Sequence, residues 1–89
     1  NGQQKSKAYY KEGKLHGFFE RYFESGQLEA RVEYKGGIQD GIHETYYING
    51  RMEEKVTYKN GKPQGVWELY NQSGKLIETR IYKNGEEVL

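Results

Sequence analysis

Few side chains in this 89-residue chain could do covalent or metal chemistry. Catalysis needs a nucleophile held by a base, a carboxylate pair in a pocket, or a cluster of metal ligands. His16 and His43 are the only histidines, and neither sits among His, Asp or Glu residues at metal-ligand spacing. Both are read as exposed or packing residues. Glu20, Glu44 and Glu68 recur every 24 residues and could hold a cation or a basic ligand. The plainer reading is a ladder on a solvated face, because Arg31 and Lys55 fall opposite the first two once the strands pair. Lys35, Lys59 and Lys83 lie near turns, where they could meet phosphate. More simply, they solubilise the chain and discourage edge pairing. The Gly-rich turns do not open helices, so a P-loop and a dinucleotide fingerprint are both excluded. With no cysteine, disulfides and thiolate metal sites are excluded too. The expectation is therefore no catalytic centre, no cofactor and no metal: not an enzyme.

The rings are more informative. The chain has nine Tyr, three Phe and one Trp, so most of its apolar mass is aromatic. Tyr suits a half-buried sheet surface, with its ring packed and its hydroxyl wet. The candidate partner-contact residues are Phe19, Tyr34, Tyr58, Trp67 and Tyr82, which share one face. Phe18, Tyr22, Tyr46 and Tyr70 take their place if the opposite face is used. Each ring also has a structural reading, packing between strands and over glycines. A regular aromatic surface can do both, and Tyr and Trp are enriched at binding hot spots.

A repeat must position these residues. Three blocks align without gaps: residues 17–40, 41–64 and 65–88. Columns recur at a spacing of 24: Gly17/Gly41/Gly65, Tyr22/Tyr46/Tyr70, Gly26/Gly50/Gly74, Tyr34/Tyr58/Tyr82 and Gly37/Gly61/Gly85. Residues 1–16 fit the same frame as a partial repeat, with Asn1-Gly2-Gln3 matching Ser25-Gly26-Gln27. The chain then reads as one domain over 1–89 that opens in mid-repeat. It is a fragment of a longer array or carries a natural half-repeat cap, to which Gln4 and Ser6 give weight. Each repeat holds two turn signals, Ser-Gly or Asn-Gly at 25–26, 49–50 and 73–74, and Gly-Gly or Asn-Gly at 36–37, 60–61 and 84–85. Asn-Gly between strand-like runs is a strong hairpin signal, since both central residues of a type I′ turn need positive φ. No segment has a helical period.

The expected fold is all-β, a single-layer antiparallel meander of hairpins with about seven strands of about six to eight residues. Two-residue turns fix the register. Around Ser25-Gly26, Phe23 should face Leu28, with Arg21 on Ala30 and Phe19 on Val32. On the other face Tyr22 should meet Glu29, Glu20 should meet Arg31, and Phe18 should meet Glu33. In the next repeat Glu44 should face Lys55, and around Asn60-Gly61 Val56 should face Gly65, letting a neighbouring ring lie over bare backbone. Rings on both faces leave apolar surface uncovered. That points to a twisted or curled meander, stacking on another copy, or a bound partner.

The pattern Gly65-Val66-Trp67-Glu68-Leu69-Tyr70, preceded by Tyr58-Lys59-Asn60-Gly61-Lys62-Pro63-Gln64-Gly65, resembles the bacterial variant of the MORN repeat (membrane occupation and recognition nexus). The resemblance covers almost the whole chain and implies an elongated sheet of stacked hairpins. It also implies a non-enzymatic protein-binding role, since some bacterial members are antitoxin or immunity components that neutralise a partner. Eukaryotic relatives of the motif are associated with membranes and phosphoinositide kinases, which makes peripheral membrane or phosphoinositide binding the second expectation. A structural spacer in a longer protein is the third. The chain departs from the pattern in the Trp column, which reads Phe19, His43, Trp67. In the Val32/Val56 column Arg80 stands last, suggesting a polar cap or a partner contact.

Composition narrows the partners. Fourteen basic and 13 acidic residues are interspersed at a net charge of +1. A nucleic-acid footprint needs a basic stripe, so nucleic acid is excluded. The same balance argues against simple docking on anionic lipid. Open sheet edges would allow self-association. No apolar run approaches the roughly 18 residues that span a membrane as a helix. No compartment is expected from the residues, and the start at Asn1 with Met52 as the only methionine leads to the expectation of a processed or cut chain.

Overall fold

A computed structural model describes residues 5–89. The expected turn at Asn1-Gly2 and the reading of Gln4 lie outside the described residues. The strands are β1 (Lys5–Lys7), β2 (Tyr10–Lys11), β3 (Lys14–Leu15), β4 (Gly17–Tyr22) and β5 (Leu28–Lys35). They continue as β6 (Ile38–Tyr46), β7 (Met52–Lys59), β8 (Lys62–Tyr70), β9 (Leu76–Lys83) and β10 (Glu86–Glu87). Eight of them form one antiparallel sheet in the order β1-β4-β5-β6-β7-β8-β9-β10, and β2 and β3 pair beside it as a small hairpin. Among the described residues there is no helix. The molecule measures 44 × 38 × 14 Å, and its short dimension is that of one sheet with its side chains. Strands are more numerous than the expected seven because the first hairpin is broken into short pieces and the two-residue β10 follows the last long strand.

The two turn classes differ, and the difference corrects part of the expected register. At Glu12-Gly13, Asn60-Gly61 and Asn84-Gly85 both residues have positive φ, as a two-residue type I′ turn requires. At Ser25-Gly26, Asn49-Gly50 and Ser73-Gly74 only the glycine does, with Gly26 at φ 95°. There the Gly26 amide donates to the Phe23 carbonyl and the Phe23 amide to the Gln27 carbonyl, closing a three-residue loop. Tyr22 consequently pairs with Leu28 and not with Glu29, and Phe23 is not opposite Leu28. A bulge beside Tyr22 restores the count, so Arg21–Ala30, Glu20–Arg31, Phe19–Val32 and Phe18–Glu33 pair as expected.

The reason given for the Gly17/Gly41/Gly65 column also changes. The β7–β8 ladder shifts between Lys55 and Thr57, so Val56 and Gly65 are not ladder partners. Each glycine of the column has positive φ, 102°, 122° and 95° in turn. Each pairs instead with the tyrosine of the hairpin it begins: Gly17 with Tyr34, Gly41 with Tyr58, Gly65 with Tyr82. The column thus supplies backbone in the positive-φ region that L side chains rarely adopt.

Neighbouring repeats are tied at both ends of the strands. The Gly37, Gly61 and Gly85 amides donate to the carbonyls of Leu15, Gln39 and Pro63. At the other end the Tyr47 hydroxyl donates to the Tyr70 carbonyl at 2.6 Å, and Asn49 Nδ2 to the Gln72 carbonyl at 2.9 Å. Among the described residues the buried hydrophobic side chains are Ala30, Val32 and Val56, all on the Trp67 face. That face carries the small core of the sheet.

The opposite face carries a row of alternating charge. Lys7 pairs with Glu20, Glu20 with Arg31, Arg31 with Glu44, Glu44 with Lys55 and Lys55 with Glu68; the row ends on Thr79. Within it the Arg31 guanidinium lies 3.5 Å from the Glu20 carboxylate and 4.1 Å from the Phe18 ring centre. Each carboxylate of the Glu20/Glu44/Glu68 column also accepts a hydrogen bond from the tyrosine two residues on, at 2.9, 2.8 and 3.0 Å. Both columns are therefore satisfied within the sheet. The last hairpin is not a polar cap: Ile77, Ile81 and Val88 are all about half exposed.

Candidate functional site

Cross-strand pairing places Phe19, Val32, His43 and Val56 in one row, and beyond the ladder shift Trp67 and Arg80 continue it. Tyr34, Tyr58 and Tyr82 flank this row on the same face, each opposite its glycine. Tyr58, Trp67 and Tyr82 are brought together in one open groove of about 260 Å³ with His43, Glu54, Val56, Pro63 and Arg80. Phe19 and Tyr34 share the face but lie outside that groove, on β4 and β5. All five rings are partly buried, so they pack and remain reachable.

Val56 forms the floor, with only 4% of its surface exposed. The Trp67 Nε1–H donates to Glu54 Oε2 at 2.7 Å, and the other oxygen of Glu54 lies 3.8 Å from His43 Nε2. His43 Nδ1 sits 3.1 Å from Gln39 Oε1, an acceptor, so the neutral ring carries its proton on Nδ1. The His43 and Tyr58 rings are 5.3 Å apart. Arg80 lies over the Trp67 ring at 5.5 Å and pairs with Glu78 at 2.8 Å and Glu87 at 3.6 Å. Burial lowers the His43 pKa, and the Glu54 charge partly opposes this. Burial raises the Tyr58 pKa, with Glu54 adding to it.

This arrangement suits non-covalent contact: an apolar floor, aromatic walls and charged groups satisfied at the rim. Sequence reasoning did not place Glu54 or Pro63 here. Glu54 stands in a column with Ala30 and Glu78 and gives no periodic signal of its own. The two departures in the aromatic and valine columns, His43 and Arg80, were the available signal, and both line the groove. Among the described residues no group of three or more His, Cys, Asp or Glu could hold a metal ion. No helix among them is long and apolar enough to cross a membrane.

No curated protein and no solved structure matches this chain. A family model does, three times, and no catalytic family is found. It is the MORN repeat variant, matching residues 15–35, 39–60 and 63–84. Each segment begins two residues before the Gly17/Gly41/Gly65 column and ends at Lys35, Asn60 or Asn84, just short of the closing glycine of the next turn. With most of the sheet covered by a non-catalytic repeat type, the chain belongs to the MORN repeat variant family.

Proposed function

We propose that this repeat domain binds a protein partner through its Trp67 face and neutralises that partner sterically, as an antitoxin or immunity protein does. The observation that carries this reading is the convergence of Tyr58, Trp67 and Tyr82 over the Val56 floor. The groove gathers three rings over Val56, on the face that also holds the buried Ala30 and Val32. Hot-spot energetics favour such a spot: large rings at the centre, charges at the rim. A partner segment inserting an apolar or aromatic side chain would cover Trp67 without breaking its bond to Glu54.

Affinity capture from source cells, compared between the wild type and a Trp67→Ser/Tyr58→Ser variant, tests the reading. One protein should be captured by the wild type and lost from the variant. Expressed alone, that protein should arrest growth, and co-expression with this chain should relieve the arrest. Vesicle co-sedimentation with and without anionic lipid provides the competing outcome, since lipid-dependent pelleting would favour a membrane role.

A further inference from the structure

We propose that the Trp67 groove is pH-responsive, with His43 as the sensor, the Glu54 carboxylate as the link and the Trp67 indole as the element that moves. The geometry sets this up. One carboxylate stands between two ring nitrogens: its Oε2 holds the indole N–H at 2.7 Å, while its Oε1 stops 3.8 Å short of His43 Nε2. The Nδ1 side of the imidazole is already committed to Gln39, so an added proton goes to Nε2, directly facing Glu54. An N⁺–H···O⁻ hydrogen bond is about 2.7–2.9 Å long, so closing it draws the carboxylate toward β6 and pulls on the indole.

The groups facing His43 are few. From β7 come Val56, Glu54 and Tyr58; from β8 come Trp67 and Pro63; from β9, across the groove, come Arg80 and Tyr82; β5 presents Val32. Glu54 is the carboxylate that answers the new charge. Arg80 opposes it but is held by Glu78 and Glu87. Burial delays protonation, which places the change on the acid side of 6.5. Trp67 is the only tryptophan, so its emission reports the groove alone.

The inference concerns the groove of the proposed contact, and only its consequence for binding rests on that reading. The test is a pH titration of Trp67 emission on the whole chain between pH 7.5 and 4.5, with circular dichroism recorded alongside. A single reversible transition below pH 6.5 is expected while the β signal stays constant, and it should vanish in His43→Gln. In Glu54→Gln it should lose most of its amplitude, because the link is cut. A flat titration overturns the proposal, as does a transition that survives His43→Gln. So does one left undiminished in Glu54→Gln, since that would be direct quenching by the imidazolium. None of these outcomes requires a partner, so they stand apart from success or failure of the capture experiment.

Discussion

The Tyr46 hydroxyl donates a 2.8 Å hydrogen bond to Glu44, two residues back on the same face of β6. The same bond joins Tyr22 to Glu20 and Tyr70 to Glu68, so one contact recurs through three repeats. It binds two sequence columns into one device: each acid accepts from a hydroxyl beside it and stands opposite at least one cation across the strands.

Tyr46 should therefore resist ionisation. Burial first, then the hydrogen bond to Glu44, raises its pKa from 10.0 to about 12. The folded chain keeps this proton over a range where the unfolded chain has released it, so the Tyr46 contribution to stability is complete below pH 10 and is lost as pH rises toward 12. Absorbance titration of the wild type against Tyr46→Phe should show the missing phenol as the late-titrating one. Glu44→Gln should bring its midpoint down.

The alternating row ends on an uncharged residue, and that end can be extended. Thr79 stands opposite Glu68, where Arg31 and Lys55 stand opposite their acids in the earlier hairpins. Thr79→Lys should stabilise the sheet by about 0.2–1 kcal/mol at low salt, the range of an opposite-charge cross-strand pair. Added salt should erase the gain. Lys55→Glu should do the reverse, since it puts three acids side by side. Urea melts at two ionic strengths measure both.

Core and surface valines should separate cleanly. Val56 is 4% exposed and Val66 is 52% exposed. Val56→Ala should cost about 2 kcal/mol, as for loss of a buried aliphatic side chain. Val66→Ala should stay within about 0.5 kcal/mol. Thermal melts would show the contrast, and equal losses would mean that the Trp67 face does not hold the core.

The glycine column offers a graded test. Gly41 has φ 122°, and a Cβ there would come within 2.9 Å of the Glu33 Cβ. Gly65 has φ 95° but open space around it among the described residues. Gly65→Ala should cost the backbone strain of about 1–3 kcal/mol. Gly41→Ala should exceed it, because the Glu33 side chain, which also accepts the Ile42 amide hydrogen bond, has to move. Equal melting points for the two variants would remove the steric part of this explanation.

Much of the fold was legible because this chain repeats and its turns are chemically explicit. Asn60-Gly61 gave a type I′ hairpin and Glu44–Lys55 gave the register. The misread pairs, Tyr22–Glu29 and Phe23–Leu28, failed for one physical reason. A Ser-Gly turn can close as two residues or as three with a bulge, and composition does not distinguish them. Val56–Gly65 failed similarly, at a ladder irregularity that positive φ at the glycine permits. At the candidate site, period-2 alternation put Phe19, Tyr34, Tyr58, Trp67 and Tyr82 on one face. It could not show that only the last three share a groove, nor that Glu54 reaches the Trp67 indole. Those facts depend on side-chain reach across strands, which periodicity does not encode.

The central claim is that the Trp67 groove carries the partner contact while Val56 beneath it carries the fold. It is tested most directly by capture with three proteins side by side: wild type, Trp67→Ser/Tyr58→Ser, and Ile42→Glu on the opposite face. The account expects one captured protein that is lost from the double variant and retained by Ile42→Glu, with the β circular-dichroism signal of all three alike. Capture undiminished by the double variant would contradict it. So would loss of the β signal in that variant, which would make these rings core and not contact.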